Sequence, residues 1–468
     1  MNLRSLSIAF FSILLFPALA KRPNILVILT DDHRYDALGF LGHPFLKTPH
    51  MDRLAAEGVH FQKAYVTTSL CSPSRASILT GLYAHNHRVV DNYNPVGKSL
   101  TFFPELLQSA GYQTAFIGKW HMGDSEEKQR GFDYWLSFKG QGVYVPDPAM
   151  LKAKGRFVPQ ATNSGFNING KRVAQKGYIT DELTDYAVEW LGAKDDTKPF
   201  LLYVSHKGVH ADFLPPDRHA FKYDEVLIPT PPTPLSQPTL FTDPPMWVRN
   251  QSNSRHGVEF AYYTGVDMKK YYRRYCEALL AVDDSVGRLL GNLEKSGELE
   301  DTVILYLGDN GFIFGEHGLI DKRCAYDESI RIPMLMRYPK SLKPGTKVEK
   351  IVANIDVAPT LLEVAGLKSK ERMDGESFWQ LAKGKGSSDW RKYLLYEYYW
   401  ERNYPQTPTN HAVIGEDYKY IRYHGVWDQD ELYHTKSDPK ERKNLFNDSS
   451  QKSRITEMNK ALFDLLAD

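Results

Sequence analysis

Asn24-Ile25-Leu26-Val27-Ile28-Leu29-Thr30, running directly into Asp31-Asp32, is the stretch on which the reading of this chain turns. A short, unbroken apolar run that ends in acids is the pattern of a strand buried on both faces of a parallel sheet. Similar runs recur at residues 114–118, 200–205, 302–308 and 334–336. Helical patterns lie between them. In residues 180–191, Thr180 can cap an N-terminus, Leu183, Ala187 and Trp190 share a face, and Gly192 offers a stop. Across residues 272–293 the apolar positions Leu279, Val282, Val286, Leu289 and Leu293 step by three and four. Strands alternating with helices predict an α/β domain with a large, mostly parallel sheet flanked by helices.

Outward from that framework, both ends of the chain read differently. Arg4, the apolar residues 7–16 and the small-residue site Ala18-Leu19-Ala20 form an export signal, so the mature chain is expected to begin at Lys21, periplasmic or secreted. No stretch reaches the ~18 apolar residues of a membrane span, so no membrane anchor is expected. Residues 213–247 hold nine prolines and predict an ordered surface excursion rather than a regular element. Beyond a looser Gly, Lys and Ser stretch at 366–386, residues 393–400, 418–423 and 432–433 read as antiparallel strands of a smaller C-terminal subdomain closed by a helix at 455–466. The expected division is a signal at 1–20, a catalytic domain at 21–370 and a C-terminal subdomain at 371–468.

Composition excludes some functions. Lys and Arg number 58 against 57 Asp and Glu, so the net charge of +1 gives no surface for nucleic acid, and any preference for an anion must be local. Three cysteines, Cys71, Cys276 and Cys324, are too few for a disulfide scaffold in an exported chain of 468 residues.

Polar clusters follow the apolar runs, where an open parallel sheet collects its ligands. Asp31-Asp32 ends the first run and Asp309-Asn310 the fourth. Together they form an all-oxygen set suited to a hard divalent cation, although either acid alone could cap a turn. A second cluster is Cys71-Ser72-Pro73-Ser74-Arg75, continuing into Leu79-Thr80-Gly81.

That pentapeptide resembles the sulfatase signature, in which the cysteine of Cys-x-Pro-x-Arg is oxidised to formylglycine. The resemblance continues along nearly the whole mature chain, through Asn24 to Asp32, Gly118-Lys119-Trp120-His121, Leu307-Gly308-Asp309-Asn310-Gly311, Lys322 to Arg331, and Asp430-Glu431-Leu432-Tyr433 with Asp438-Pro439 and Asn444-Leu445. It implies an alkaline-phosphatase-like fold and a calcium ion, ahead of magnesium, held by Asp31, Asp32, Asp309, Asn310 and residue 71. It also implies a maturation partner, either a formylglycine-generating or an anaerobic sulfatase-maturating enzyme. Hydrated formylglycine would attack sulfur, and its second hydroxyl would later expel sulfate. Arg75 would hold the diol, His121 would take the elimination proton, and Lys119 and Lys322 would bind sulfate oxygens.

The leaving oxygen needs a general acid, for which histidine is suited. Ser205-His206-Lys207-Gly208-Val209-His210 offers two; the family pattern favours His210 over His206, although many relatives have proline where this chain has Asp212. His317, in Gly315-Glu316-His317-Gly318, is either a substrate contact or part of a solvated loop. The expected substrate is a sulfated carbohydrate. The spacing of Lys322, Arg323, Tyr326, Glu328, Ser329 and Arg331 resembles the glucosamine-6-sulfatase and heparan-type branches, which implies a 6-O-sulfated amino sugar. Tyr398, Tyr399, Trp400, Tyr404 and Trp427 could stack on sugar rings or fill a core. Two other readings are a phosphomonoester, phosphodiester or phosphonate hydrolase of the same superfamily, and an inactive sulfated-glycan-binding protein.

Overall fold

The computed structural model describes residues 22–123, 125–152, 164–234, 236–251, 267–386, 388–405, 407–425 and 428–468. The signal expected at 1–20 and the aromatic Trp427 lie outside the described residues. The strands are β1 (Asn24–Thr30), β2 (Val59–Tyr65), β3 (Gln113–Lys119), β4 (Tyr134–Phe138), β5 (Phe166–Ile168), β6 (Lys171–Val173), β7 (Phe200–Ser205), β8 (Thr302–Gly308), β9 (Ile313–Phe314), β10 (Ile320–Asp321), β11 (Met334–Arg337), β12 (Thr346–Ala353), β13 (Leu394–Tyr398), β14 (Asn410–Ile414), β15 (Lys419–Tyr423) and β16 (Glu431–Tyr433).

Ten of them form one sheet in the order β12-β2-β11-β8-β1-β7-β3-β4-β5-β6. Its centre, β8-β1-β7-β3-β4, is parallel throughout. β11, expected from residues 334–336, runs antiparallel to both of its neighbours, and β5 and β6 add an antiparallel edge, so the sheet is mixed. A second, four-stranded antiparallel sheet, β13-β14-β15-β16, supplies the smaller C-terminal layer.

β1 lies in the middle of the large sheet, which is why its sequence is apolar without alternation: both faces are covered. Ile25, Val27 and Leu29 pack on one side with Val303, Leu305 and Leu307, while Leu26 and Ile28 pack on the other with Ile304 and Tyr306. All seven β1 residues are buried, and truncating one such side chain, as in Leu29→Ala, costs about 2–5 kcal/mol.

Among the helices are α1 (Cys71–Thr80), α2 (Ile179–Ala193), α3 (Met268–Lys295) and α4 (Lys452–Ala467). α3 buries the predicted stripe of Leu279, Val282, Val286, Leu289 and Leu293, and Asp267 caps it by accepting from the Lys269 N–H at 2.9 Å. α2 starts one residue before the expected cap: Tyr178 occupies the N-cap and Thr180 lies inside the helix. Gly192 is its penultimate residue rather than its stop. The proline-rich stretch contains one short 3-10 turn, Pro238–Leu240, before a helix at Met246–Gln251. Cys71, Cys276 and Cys324 are all buried and unbridged. Among the described residues no helix is long and apolar enough to cross a membrane.

Candidate active site

Four neighbouring strands deliver the site. β1 and β8 pair in parallel with Thr30 opposite Gly308, so Asp31-Asp32 and Asp309-Asn310 leave the sheet side by side. Leu29 pairs with Ser205 of β7, and Ser205 with Gly118 of β3, which brings the 205–210 turn and Lys119 to the same edge. Gly118 is required there: a Cβ at this position would lie 1.8 Å from the Ser205 carbonyl oxygen.

α1 presents Cys71 from its first turn, and all ten of its residues are buried. A helix with serines and an arginine inside a core needs a partner for each polar atom. Ser72 donates to the His121 carbonyl, Ser74 accepts from Asn354 Nδ2 at 2.9 Å, and Ser77 pairs with His87 Nε2 at 3.0 Å. Arg75 donates to Asp309 Oδ2 from Nε at 3.0 Å and Nη2 at 2.7 Å, and from Nη1 to Ser205 Oγ at 2.6 Å and the Lys119 carbonyl at 2.7 Å. These bonds pin α1 to the strand ends.

Around Cys71 the structure brings together Asp31, Asp32, Asp309, Asn310, Arg75, Lys119, His210 and Lys322. The thiol donates to Asp31 Oδ1 at 3.4 Å, and Lys322 Nζ lies 3.2 Å from Sγ while also pairing with Asp32. Lys119 pairs with the other oxygen of Asp31. One ligand atom from each of Asp31, Cys71 and His210 falls within 4.8 Å of the others, as does one from each of Asp31, Asp32 and Asp309. His121 is buried close by, and the charges of Lys119, Arg75 and Asp31 act on it.

Electrostatics expose a conflict. Burial raises the Asp31 carboxyl, but Lys119, His210, Arg75 and Lys322 outweigh it and hold the group well below the ordinary range. Asp32 is pushed up to about 7 by burial, against the pull of Lys322 and with repulsion from Asp31 and Asp309; Asp309 is likewise raised, first by burial. Burial thus works against ionisation of Asp32 and Asp309 beside an ionised Asp31, despite the Lys322 and Arg75 pairs. Asn310 donates to Asp32 Oδ1 at 2.6 Å, yet its own Oδ1 is buried without a hydrogen-bond partner. An orphaned amide oxygen beside three carboxyls fits a hard divalent cation. Burial, then Asp31, pushes the Cys71 thiol up to about 12, so unmodified Cys71 is a poor nucleophile at neutral pH.

Two expected residues are not brought to this cluster. His206 follows Ser205 and turns to the opposite face, where its Nε2 pairs with Ser285 Oγ of α3 at 3.0 Å. His317 is neither in a solvated loop nor at the cluster: it is buried, stacks on Tyr326 at 3.8 Å between ring centres, and lines a separate cavity of about 150 Å³ with Glu328, Lys440 and Arg442.

Other residues at the site escaped the sequence reading. Gln141 accepts from Lys119 Nζ, and Tyr144 donates to the His210 carbonyl at 2.6 Å; both come from the loop after β4, and nothing in their spacing points to it. Arg323, which the sequence reading named only for its spacing with Lys322, pairs with Asp321 and Glu401 and lies 3.6 Å from the centre of the Tyr404 ring. The C-terminal segment thus packs against the buried residue that follows Lys322. Tyr398 is buried core, whereas Trp400 is exposed.

Carboxylates able to hold a cation, with lysines able to meet an anion around residue 71, fit a hydrolase of anionic esters. The sulfatase family model matches residues 23–367, and the model described as N-sulphoglucosamine sulphohydrolase, C-terminal, matches residues 315–468. The N-acetylglucosamine-6-O-sulfatase of Bacteroides thetaiotaomicron is 34% identical over 95% of this chain and 86% of its own length. The human N-acetylglucosamine-6-sulfatase is 31% identical over 83% of this chain and 69% of its own. The solved structure of BT4656 in complex with its substrate D-glucosamine-2-N,6-O-disulfate matches with a TM-score of 0.81 and 32% identity, covering 95% of this chain and 97% of that one. The phosphonate monoester hydrolase of Agrobacterium radiobacter, at 21% identity and a TM-score of 0.76 over 95% of this chain and 96% of its own, shares the fold alone. The chain belongs to the sulfatase family and is an enzyme that hydrolyses sulfate esters.

Proposed function

We propose that this sulfatase removes O-sulfate from a carbohydrate, with a 6-O-sulfated amino sugar as the preferred substrate. The observation that carries the reading is the pair of cations around residue 71: Lys322 lies 3.2 Å from Cys71 Sγ, and Lys119 pairs with the Asp31 carboxylate that accepts from the same sulfur. Similarity to the two N-acetylglucosamine-6-sulfatases supports the choice of sugar and of position.

Formylglycine made from Cys71 would supply the hydrated aldehyde that serves as nucleophile, by a formylglycine-generating or anaerobic sulfatase-maturating partner. Asp31, Asp32, Asp309 and Asn310 would hold calcium, ahead of magnesium, and the ion would supply charge to activate that nucleophile and polarise the sulfo group. Arg75 holds Asp309 and the start of α1 in register with this set. Lys119 and Lys322 would exchange part of their pairing with Asp31 and Asp32 for sulfate oxygens, offsetting the charge that grows as the ester bond breaks. His210 would donate a proton to the departing sugar oxygen, and His121 would accept one at residue 71 as sulfate leaves. Burial, then Lys119, holds both imidazoles well below their usual range, so each needs the negative charge of substrate to become protonated.

An exported, periplasmic or secreted protein starting at Lys21, with a catalytic domain to residue 370 and a C-terminal subdomain over 371–468, completes this reading. The phosphonate monoester hydrolase named above supports the phosphate or phosphonate alternative by likeness of fold alone. Release of inorganic sulfate from N-acetylglucosamine-6-sulfate by matured enzyme is the test; release of phosphate from phosphate esters instead would replace the reading.

A further inference from the structure

Lys207 occupies the same turn as His210, whose N–H donates to the Lys207 carbonyl at 2.9 Å. The side chain is buried, with the residue 3% exposed, and its ammonium lies 4.7 Å from the centre of the Tyr144 ring. The Tyr144 hydroxyl in turn holds the carbonyl of His210 at 2.6 Å. Other buried lysines of the chain each meet a carboxylate: Lys119 meets Asp31, Lys322 meets Asp32, and Lys419 meets Asp327 and Glu441. Among the described residues no carboxylate or other acceptor lies within bonding distance of Lys207 Nζ, and the Tyr144 ring face is its one close polar contact.

An unpaired buried ammonium is unfavourable for the fold, and a ring face offsets only part of its lost hydration. Burial, then repulsion from Lys119, pushes it down to about 8, against attraction from Asp31, Asp212 and Asp32. Lys119 and Asp31 act on Cys71 and His210 as well, and Lys207 itself acts on His210, so its ammonium belongs to the charge field of the site without pairing with any of its carboxylates.

We propose that Lys207 is a third anion-binding cation of this site, taking a sulfo-group oxygen of the substrate on the side from which His210 protonates the leaving sugar. The inference rests on the sulfatase reading and adds a residue to it. The sulfo oxygen has two possible sources, the sulfate being cleaved or a second sulfate next to it on the sugar.

The test compares matured wild-type enzyme with Lys207→Met and Lys207→Arg on N-acetylglucosamine-6-sulfate and on glucosamine-2-N,6-O-disulfate. Inhibition by inorganic sulfate and the melting temperature are followed in parallel. Losing a charge-assisted contact should raise KM in Lys207→Met by about tenfold or more. Its melting temperature should hold or rise, because an uncompensated charge leaves the interior. Lys207→Arg should recover part of the affinity. Loss on both sugars together with weaker sulfate inhibition assigns the contact to the cleaved sulfate; loss confined to the disulfate assigns it to the neighbouring one. Unchanged KM and inhibition, or a lowered melting temperature with affinity intact, would overturn the proposal. Should the wild type cleave neither sugar, the substrate reading fails separately, and calorimetric titration of wild type and Lys207→Met with inorganic sulfate still decides the role of Lys207.

Discussion

The Nζ of Lys322 lies 3.2 Å from the Sγ of Cys71, although 251 residues of chain separate them. The contact exists because α1 is pinned to the ends of β1 and β8 while the segment after β10 folds back over it. With Asp31 on its other side, position 71 has a cation and a carboxylate as immediate neighbours. Cys71→Ala should therefore abolish sulfate release while the protein stays folded, since a small buried side chain is exchanged for a slightly smaller one. Circular dichroism and turnover measured on the same sample check this; ordinary activity in the variant would refute the role of residue 71.

Metal removal gives an independent prediction. Chelation should eliminate activity and lower the melting temperature, and calcium should restore both, because a ligand bound only by the folded state stabilises it by mass action. Asn310→Ala should weaken calcium binding, since it deletes the buried amide oxygen that has no other partner. Recovery with zinc alone would contradict an all-oxygen site.

The two histidines of the 205–210 turn should separate cleanly. His210→Ala is expected to lower kcat on a sugar sulfate by about 10²–10⁴-fold, and far less on 4-nitrophenyl sulfate, whose leaving group needs no proton. His206→Ala should leave kcat within a few-fold but destabilise the fold by about 1–3 kcal/mol, because it strips Ser285 of a buried partner. Equal activity losses for the two variants would remove His210 from the role of general acid.

How much of this was legible in the sequence depended on whether local pattern or tertiary return carries each feature. β1 and β8 were readable because strands covered on both faces are apolar throughout. β2, with His60, Gln62 and Lys63 inside Val59-His60-Phe61-Gln62-Lys63-Ala64-Tyr65, was not, since it packs where side chains can reach the surface. The acids at 31, 32 and 309 were legible as strand-end residues of a parallel sheet. Gln141, Tyr144 and Lys207 were hidden, because their place at the site depends on the loop after β4 folding over the end of β7. His206 and His210 could not be separated by spacing alone; strand alternation, carried one residue past Ser205, sends His206 to the helix face.

The C-terminal sheet holds a pH-sensitive group. Glu431 is buried and accepts hydroxyl bonds from Tyr326, Tyr423 and Tyr433, yet burial outweighs them and pushes its carboxyl up to about 7. With the folded value above the unfolded one, the native state binds the extra proton, so this contribution is present in full below about pH 4.5 and is lost as pH rises through about 7. Its size is on the order of 3 kcal/mol. Melting temperatures of wild type and Glu431→Gln, taken from pH 5 to pH 8, should separate as pH rises, the wild type falling relative to the variant; a gap that does not change with pH would show that Glu431 is ionised throughout.

The most direct test of the central claim is simultaneous measurement of inorganic sulfate and phosphate release by enzyme co-produced with a formylglycine-generating partner, across a panel of sulfated sugars and phosphate esters. The account predicts sulfate release centred on 6-O-sulfated glucosamine derivatives, with negligible phosphate. Preferential cleavage of phosphate or phosphonate esters, or silence across the panel with residue 71 fully converted, would contradict it.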